Sequence, residues 1–382
     1  MSTNEVRSND STSDAEKDSV TPCSVDSGID AYLRERLMPV EGAIPHLPGI
    51  EMYGGTIPAD TVGGDLFEYI NFQQRYDIDT RIEQAQKLCK EFRVPHPPGM
   101  ADHNSVDDHV EWLKTRLDYR SEMEAAYREA RGLEQLRVAE DLGDLYSTAG
   151  VLVVDAQGHG VISAKIASTV HDTFHALMLS ELDRYGKTTP DLFEKLNLRL
   201  AHSVTARNAL GSSLEERARE IATMLYGEVR PSGHFRFVNF GHPPPLLFSA
   251  EACKFIEVDK DRMVRFLPLG LEVPEDDPDR KRYCSMHFRK RPADYSDIAD
   301  TLIKPGDILF LYTDGVYDGS DDEQRHDLEE LMRDHQLLSA KDICNAVLEH
   351  AVKIDDHSRD TGEQDLIDDK TVFIIKRAYH SV

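Results

Sequence analysis

The sequence predicts an α+β fold in which antiparallel strands and long helices form separate layers. Three short apolar segments, ATMLYGEV, HFRFVNF and PPLLFS, are joined only by the turns RPSG and GHPP, which is typical of an antiparallel meander. Amphipathic segments such as GVISAKIASTVHDTFHALMLSEL are long, and they do not alternate regularly with single strands. A doubly wound parallel sheet is therefore not predicted.

The first part of the sequence predicts a tail, two strands and a helical insertion. The N-terminal residues are acidic and polar with few large apolar side chains, so we predict a largely disordered tail over 1–47. The segment GIEMYGGTIPADTVGGDLFEYINF predicts two strands with a break at Gly63-Gly64. A Glu- and Arg-rich stretch with helical periodicity then predicts a helical insertion at about 74–146, within a domain spanning 48–382.

The second part of the chain predicts a return to strands and helices. TAGVLVVD predicts a buried strand ending in Asp155, and two amphipathic segments, of which TPDLFEKLNLRLAH is the second, predict helices after it. After the meander, GDILFLYTDGV predicts a buried strand ending in Asp314. Two helices, at about 323–335 and 340–353, and a last strand, DDKTVFIIKR, complete the predicted order.

Composition and charge exclude several classes of function. The 382 residues carry a formal net charge of -26, which argues against binding to nucleic acid or to an anionic membrane surface. The five cysteines are scattered, odd in number and without a C-x-x-C pair, as in proteins of a reducing compartment. We find neither an apolar run of membrane-spanning length nor a signal-peptide core, so the predicted location is the cytoplasm.

Aspartates recur at strand ends and glycine-bearing turns. They are Asp65 in GGD, Asp155 in VVDAQGHG, Asp314 in YTDG, and the pair Asp368-Asp369 in DDKT. Any one of them could be an ordinary turn residue. As a set held by rigid strands, they predict a cation site, and oxygen-only ligands suit hard ions such as Mg²⁺ or Mn²⁺.

These motifs resemble a known enzyme family. The order VGGDLFEY, VLVVDAQGHG, ATMLYGEV, FVNFGHPPPLL, LPLGL, GDILFLYTDGVYD and DDKTVFIIK is similar to the PP2C-type, or PPM, metal-dependent serine/threonine phosphatases. It is most similar to the bacterial branch of sporulation and stress-response sigma-factor regulators. The resemblance covers about 48–73 and 147–378, and it implies a central antiparallel β-sandwich flanked by helices in α-β-β-α layers.

The resemblance also implies a site with two divalent ions, Mn²⁺ or Mg²⁺, and a role for each acid. Asp65 would hold one ion, Asp155 would bridge the pair, and the Ala156 carbonyl would be a further ligand. Asp314 and Asp368 would complete the ligands of the second ion; Asp369 is the weaker candidate of the adjacent pair, and the sequence leaves that choice open. Asp65, Asp155 and Asp314 would be catalytic in hydrolysing phosphoserine or phosphothreonine by a two-metal-activated water. The implied partner is a phosphoprotein, such as an anti-sigma factor antagonist in a partner-switching pathway, and a homodimer is a further expectation.

Several residues leave alternatives open. Glu68 replaces the second aspartate of the family's GGDFYD-type motif, so its role at the metals is in doubt. His159 could protonate the leaving group or order its turn, and His242 has the same two interpretations. His171 and His175 imitate a two-histidine zinc motif, but the sequence shows no third ligand, and we interpret them as a partly exposed helix face. The competing functions are a catalytically weak binding module that docks a partner through the insertion, and a small-molecule phosphohydrolase.

Overall fold

The computed structural model describes residues 44–91, 120–158, 160–208, 221–256, 265–271, 300–317, 319, 321–361 and 368–379. The predicted tail over 1–47 therefore lies almost wholly outside the described residues, as do residues 92–119 of the predicted insertion and His159. The limits of the domain and of the insertion stay predictions.

Eleven strands in the described residues form two sheets. Sheet 1 has the order β1-β11-β10-β6-β7, and sheet 2 has the order β2-β3-β4-β5-β8, with β9 also paired to β5. Pairing is antiparallel except between β5 and β8. The strands are β1 (Ile50–Ile57), β2 (Asp65–Asn71), β3 (Ala149–Ala156), β4 (Ala222–Val229), β5 (His234–Phe240), β6 (Leu246–Ser249), β7 (Lys254–Ile256), β8 (Arg265–Phe266), β9 (Asp300–Leu302), β10 (Ile308–Tyr312) and β11 (Lys370–Arg377).

Seven α-helices in the described part of the chain cover these sheets or lie between β2 and β3. The last helix continues past its predicted end, and none of the seven is long and apolar enough to span a bilayer. The helices are α1 (Phe72–Tyr76), α2 (Ile78–Glu91), α3 (Arg120–Asp144), α4 (Val161–Tyr185), α5 (Pro190–Asn208), α6 (Asp322–His335) and α7 (Ala340–Thr361).

Alternating side chains on the strands create three buried layers. Met52, Phe67, Val151, Leu225 and Phe373 belong to the cluster buried between the two sheets. The opposite face of sheet 2 is covered by α4 and α5, and the opposite face of sheet 1 by α6 and α7. The predicted fold class, an antiparallel β-sandwich flanked by helices with a helical insertion, is confirmed.

The connection between β1 and β2 brings the two sheets together at one edge. These strands follow one another in the sequence, but β1 pairs with β11 in sheet 1, whereas β2 pairs with β3 in sheet 2. The segment 58–64 therefore crosses from one sheet to the other. It crosses beside the start of β11 and the end of β3, where the predicted aspartates lie.

Candidate metal centre

The end of β3 holds Asp155 in a fixed place. Val151 and Val154 are buried, as expected for a β-branched strand paired on both sides. Asp155 lies opposite Asp65 of β2 in the antiparallel register. The Ala156 N–H donates to the Gly64 carbonyl at 3.2 Å, so the chain is anchored immediately beyond the carboxylate.

Asp65 is buried and linked to the other sheet. It is 7% exposed, and its Oδ2 accepts a hydrogen bond from the Thr313 hydroxyl at 2.7 Å. The Thr371 N–H in turn donates to that hydroxyl oxygen at 2.9 Å. Burial, followed by repulsion from Asp155, raises the pKa of Asp65 well above its ordinary value, despite the hydrogen bond from Thr313.

The negative charges of the other predicted acids also act on Asp155. Burial and then the negative charges of Asp314, Asp368 and Asp369 raise its pKa to about 7. The pKa of Asp368 is raised as well, by burial and by the neighbouring carboxylates. The structure therefore brings all five predicted aspartates to one edge of the sandwich, hereafter the aspartate edge, where their charges repel one another.

The adjacent aspartates Asp368 and Asp369 have different surroundings. Asp369 is buried, and its carboxylate accepts hydrogen bonds from the Ala59 N–H at 2.7 Å and the Gly64 N–H at 2.5 Å. Asp368 is half-buried and accepts from the Asp369 N–H at 2.8 Å. The Asp369 carboxylate is thus hydrogen-bonded to the crossing segment 58–64, which leaves Asp368 as the better candidate ligand.

Glycines permit the close approach of these elements. A Cβ on Gly63 would lie 2.6 Å from the Asp369 carboxylate, and one on Gly64 would lie 2.5 Å from the Ala156 carbonyl oxygen. A Cβ on Gly315 would lie 2.1 Å from the Asp369 carbonyl oxygen. The glycines beside the aspartates therefore serve close packing at this edge.

Glu68 lies on the other face of β2. The side chains of Asp65 and Glu68 point to opposite faces, because they are three residues apart on a strand. Glu68 Oε2 is 3.0 Å from His171 Nε2 and 2.5 Å from His175 Nε2, both on α4. Glu68 is therefore paired away from the aspartates.

The interpretation of His171 and His175 as a partly exposed helix face holds for His171 and is wrong for His175, and both rings have a third partner that the sequence did not show. Their side chains are only 14% and 10% exposed, and Glu68 contacts both rings. The sequence did not reveal this contact because it joins positions more than 100 residues apart.

His242 is buried behind the aspartate edge. Its Nδ1 lies 2.7 Å from the hydroxyl of Thr223, the residue opposite Asp155 on β4, and that hydroxyl bonds to Asp155. Asn239 holds the turn, since its Oδ1 accepts from the His242 N–H and its Nδ2 donates to the His242 carbonyl, both at 2.9 Å. Burial lowers the pKa of His242 to about 3, so the ring is neutral and positions Thr223.

Comparison with protein families decides the classification. The sequence profile of the family described as Stage II sporulation protein E (SpoIIE) matches residues 147–378, more than half of the chain. The chain belongs to the SpoIIE family. The predicted membership of the PP2C-type phosphatases, in their sigma-regulator branch, is confirmed. Comparison with curated protein sequences found no match.

Solved structures similar to this SpoIIE-family chain include three bacterial proteins. The RsbU and RsbW domains of a Mycobacterium tuberculosis protein are 17% identical, with 89% of this chain and 63% of that chain covered and a TM-score of 0.46. The phosphatase domain and regulatory fragment of Bacillus subtilis SpoIIE are 14% identical, with 60% and 54% covered and a TM-score of 0.38. The SiaA PP2C domain of Pseudomonas aeruginosa is 12% identical, with 92% and 96% covered and a TM-score of 0.47. The chain thus spans less than two thirds of the first two.

The ligand atoms that the aspartate edge of this SpoIIE-family protein offers suit hard divalent cations. Its candidate ligands are carboxylates and the Ala156 carbonyl, all oxygen atoms, and the raised pKa values of its carboxylates come from burial and from their mutual repulsion. Among the described residues, the one group of three or more His, Cys, Asp or Glu side chains whose ligand atoms all lie within 4.8 Å of one another is Glu68, His171 and His175. No three of the five described aspartates bring their ligand atoms this close together.

The hydroxyls of Thr223 and Thr313 and the buried Lys370 also belong to the aspartate edge, and they were not predicted from the sequence. Thr313 had a visible signal, because it lies directly between an apolar strand and Asp314. Lys370 is 2% exposed; its Nζ donates to the Asp368 carbonyl at 3.0 Å and contacts Asp355 at 2.5 Å. Neither Lys370 nor Thr223 is marked by a local pattern, because their contacts depend on strand register.

Proposed function

We propose that this protein is a metal-dependent phosphatase of phosphoserine and phosphothreonine in proteins. The observation that carries the proposal is the convergence of five aspartates at one sandwich edge, where three of them have raised pKa values. Membership of the SpoIIE family supports it. The retained acids do not favour the alternative of a catalytically weak binding module.

The residues that would hold two Mn²⁺ or Mg²⁺ ions are Asp65, Asp155, Ala156, Asp314 and Asp368, with Asp369 supporting the segment 58–64. When bound, such ions supply a water of lowered pKa and positive charge that offsets the charge developing on the phosphoryl group. The chain itself fixes the ligand positions: Thr313 orients Asp65, Thr223 orients Asp155, and Lys370 holds the Asp368 backbone. Each acid must be ionised to act as a ligand, so binding requires Asp155 to lose the proton that burial favours.

The proposed substrate is a phosphorylated regulatory protein, such as an anti-sigma factor antagonist. This assignment comes from the motif resemblance to the sigma-regulator branch. The cytoplasmic location and the homodimer stay predictions.

The test uses the purified full chain with a phosphoserine peptide and with p-nitrophenyl phosphate. Hydrolysis should require Mn²⁺ or Mg²⁺ and stop with a chelator. Asp155→Asn and Asp314→Asn should each lower kcat by about 100-fold or more, because each removes a candidate ligand. Asp334→Asn, an exposed aspartate of α6, is the matched control and should keep wild-type activity. Activity that survives chelation, or that persists in Asp155→Asn, would contradict the proposal.

A further inference from the structure

Glu68, His171 and His175, hereafter the Glu68 cluster, join β2 to α4 on the helix-covered face of sheet 2. The two histidines are four residues apart on α4, and their ring centroids are 4.5 Å apart. Both Nε2 atoms approach the same oxygen of Glu68, at 3.0 and 2.5 Å. The three potential ligand atoms therefore converge on one point.

We propose that the Glu68 cluster binds a divalent transition metal ion, of the class of Zn²⁺, at a site distinct from the aspartate edge. Two imidazoles and one carboxylate form a donor set that suits zinc, whereas the oxygen-only aspartates suit Mg²⁺ or Mn²⁺. The ligand atoms already lie within 4.8 Å of one another. A tetrahedral shell with bonds of about 2.0–2.2 Å needs ligand atoms about 3.3 Å apart, so the two distances between Glu68 Oε2 and the histidine Nε2 atoms would open by less than about 1 Å.

Neighbouring polar groups hold the two rings in a ligating orientation. The Tyr76 hydroxyl lies 2.5 Å from His175 Nδ1, and Asp172 Oδ1 lies 3.3 Å from His171 Nδ1. Each ring is therefore engaged at Nδ1 by an oxygen and directs Nε2 toward Glu68. This is the arrangement of outer partners that fixes metal-binding histidines in known sites.

Binding an ion would release the Nε2 protons that donate to Glu68, and each neutral ring would then keep its proton at Nδ1, toward Tyr76 or Asp172. Burial lowers the pKa of His175, which favours the neutral imidazole that ligates metals. Burial alone would raise the pKa of Glu68, but hydrogen bonds from His171 and His175 outweigh it and lower that pKa to about 2. Arg75 contacts the other carboxylate oxygen, Oε1, at 3.4 Å, so Oε2 remains directed at the histidines.

An ion at the Glu68 cluster would fasten α4 to β2. Glu68 is three residues beyond Asp65 on β2, and α4 begins five residues after Ala156. The two elements that the ion would join are thus the same two that leave the aspartate edge. The proposal does not depend on phosphatase activity.

The test is a Co²⁺ titration of the full chain carrying Asp155→Asn and Asp314→Asn, so that the aspartate edge is disabled. We expect one equivalent of Co²⁺ to give visible absorption of a four- or five-coordinate ion without a thiolate charge-transfer band, and Zn²⁺ to displace it. Adding His171→Asn or Glu68→Gln should weaken binding about 10–100-fold. His326→Asn should leave it unchanged, because His326 is an exposed residue of α6 that contacts Glu330 at 3.5 Å and lies outside the cluster.

Thermal unfolding gives a second measurement on the same variants. Zn²⁺ should raise the Tm of the parent variant and of His326→Asn, but not that of His171→Asn. His171 is the less buried histidine, so its substitution preserves the fold better than that of His175. Equal affinity in His171→Asn, a thiolate band, or no binding once the aspartate edge is disabled would overturn the proposal.

Discussion

Strand β2 carries two carboxylates only three residues apart, and their surroundings are opposite. Asp65 faces the aspartate edge, where burial and the charge of Asp155 raise its pKa. Glu68 faces α4, where hydrogen bonds from two histidines outweigh burial and lower its pKa to about 2. Both side chains are largely buried, so burial alone does not decide the direction of the shift.

The difference follows from the charged groups that lie near each face of β2. The strand ends at one edge of the sandwich carry several aspartates, so Asp65 meets like charges that a cation would neutralise. The outer face of β2 meets a helix that offers imidazoles, and Arg75 approaches from α1. A carboxylate surrounded by acids is stabilised by protonation or by a cation, whereas a carboxylate that accepts hydrogen bonds from imidazoles stays ionised without either.

The largest combined effect on stability and activity that would break this comparison is expected from Gly64→Ala. The new Cβ would lie 2.5 Å from the Ala156 carbonyl oxygen and 2.7 Å from Ser163 Cβ, so the segment 58–64 must move away from β3. We expect the free energy of unfolding to fall by about 1–3 kcal/mol and phosphatase activity to fall by about 100-fold. Urea unfolding and the p-nitrophenyl phosphate assay measure the two effects.

Gly143→Ala is the matched control for this substitution. Gly143 lies in α3 and a Cβ there would have no neighbour within 4 Å, so alanine should be neutral or stabilise by up to about 1 kcal/mol. Equal behaviour of the two alanine variants would show that the close approach at Gly64 is unimportant.

The next effect concerns the pH dependence of stability with a chelator present. The folded-state pKa of Asp155, about 7, is above its ordinary value of 3.8, so the protonated form is favoured in the folded protein. Its contribution is fully present below pH 3.8 and is lost as the pH rises through about 7. We expect the free energy of unfolding to fall by about 2–4 kcal/mol over that window.

Asp155→Asn should flatten this pH dependence, and Asp334→Asn should not. Urea unfolding at intervals of pH measures it. Excess Mn²⁺ should restore stability to the wild-type chain at the upper end of the window, because the ion binds the ionised carboxylates. An Asp155→Asn variant with an undiminished slope would mean that other groups cause the loss.

Much of the fold was predictable from the sequence because its patterns are local. The apolar runs of β3 and β4, the turns of the meander and the glycines beside Asp155 and Asp314 depend on residues close in sequence. The motif order then indicated which aspartates to place together. The structure added a reason to prefer Asp368 over Asp369, since the hydrogen bonds from Ala59 and Gly64 occupy the Asp369 carboxylate.

The Glu68 cluster was not predictable, because it depends on packing between distant elements. The spacing of His171 and His175 was visible, but which side of α4 faces β2 is decided by the whole apolar surface of the helix. Glu68 was interpreted through its position in a motif, and the strand period of two turns it to the other face. Contacts across more than 100 residues leave no trace in local periodicity.

The smallest expected effect is the pH dependence of stability that Glu68 causes, and it tests the other half of the comparison. The folded-state pKa of Glu68, about 2, is below its ordinary value of 4.5, so the ionised form stabilises the folded protein. That contribution is fully present above pH 4.5 and is lost as the pH falls through about 2. Between these limits, wild-type protein in chelator should lose about 1–3 kcal/mol more unfolding free energy than Glu68→Gln. Glu349→Gln, an exposed glutamate of α7, should follow the wild type. If Glu68→Gln and wild type instead lose stability in parallel, the histidines do not compensate Glu68, and the two carboxylates of β2 differ less than their contacts indicate.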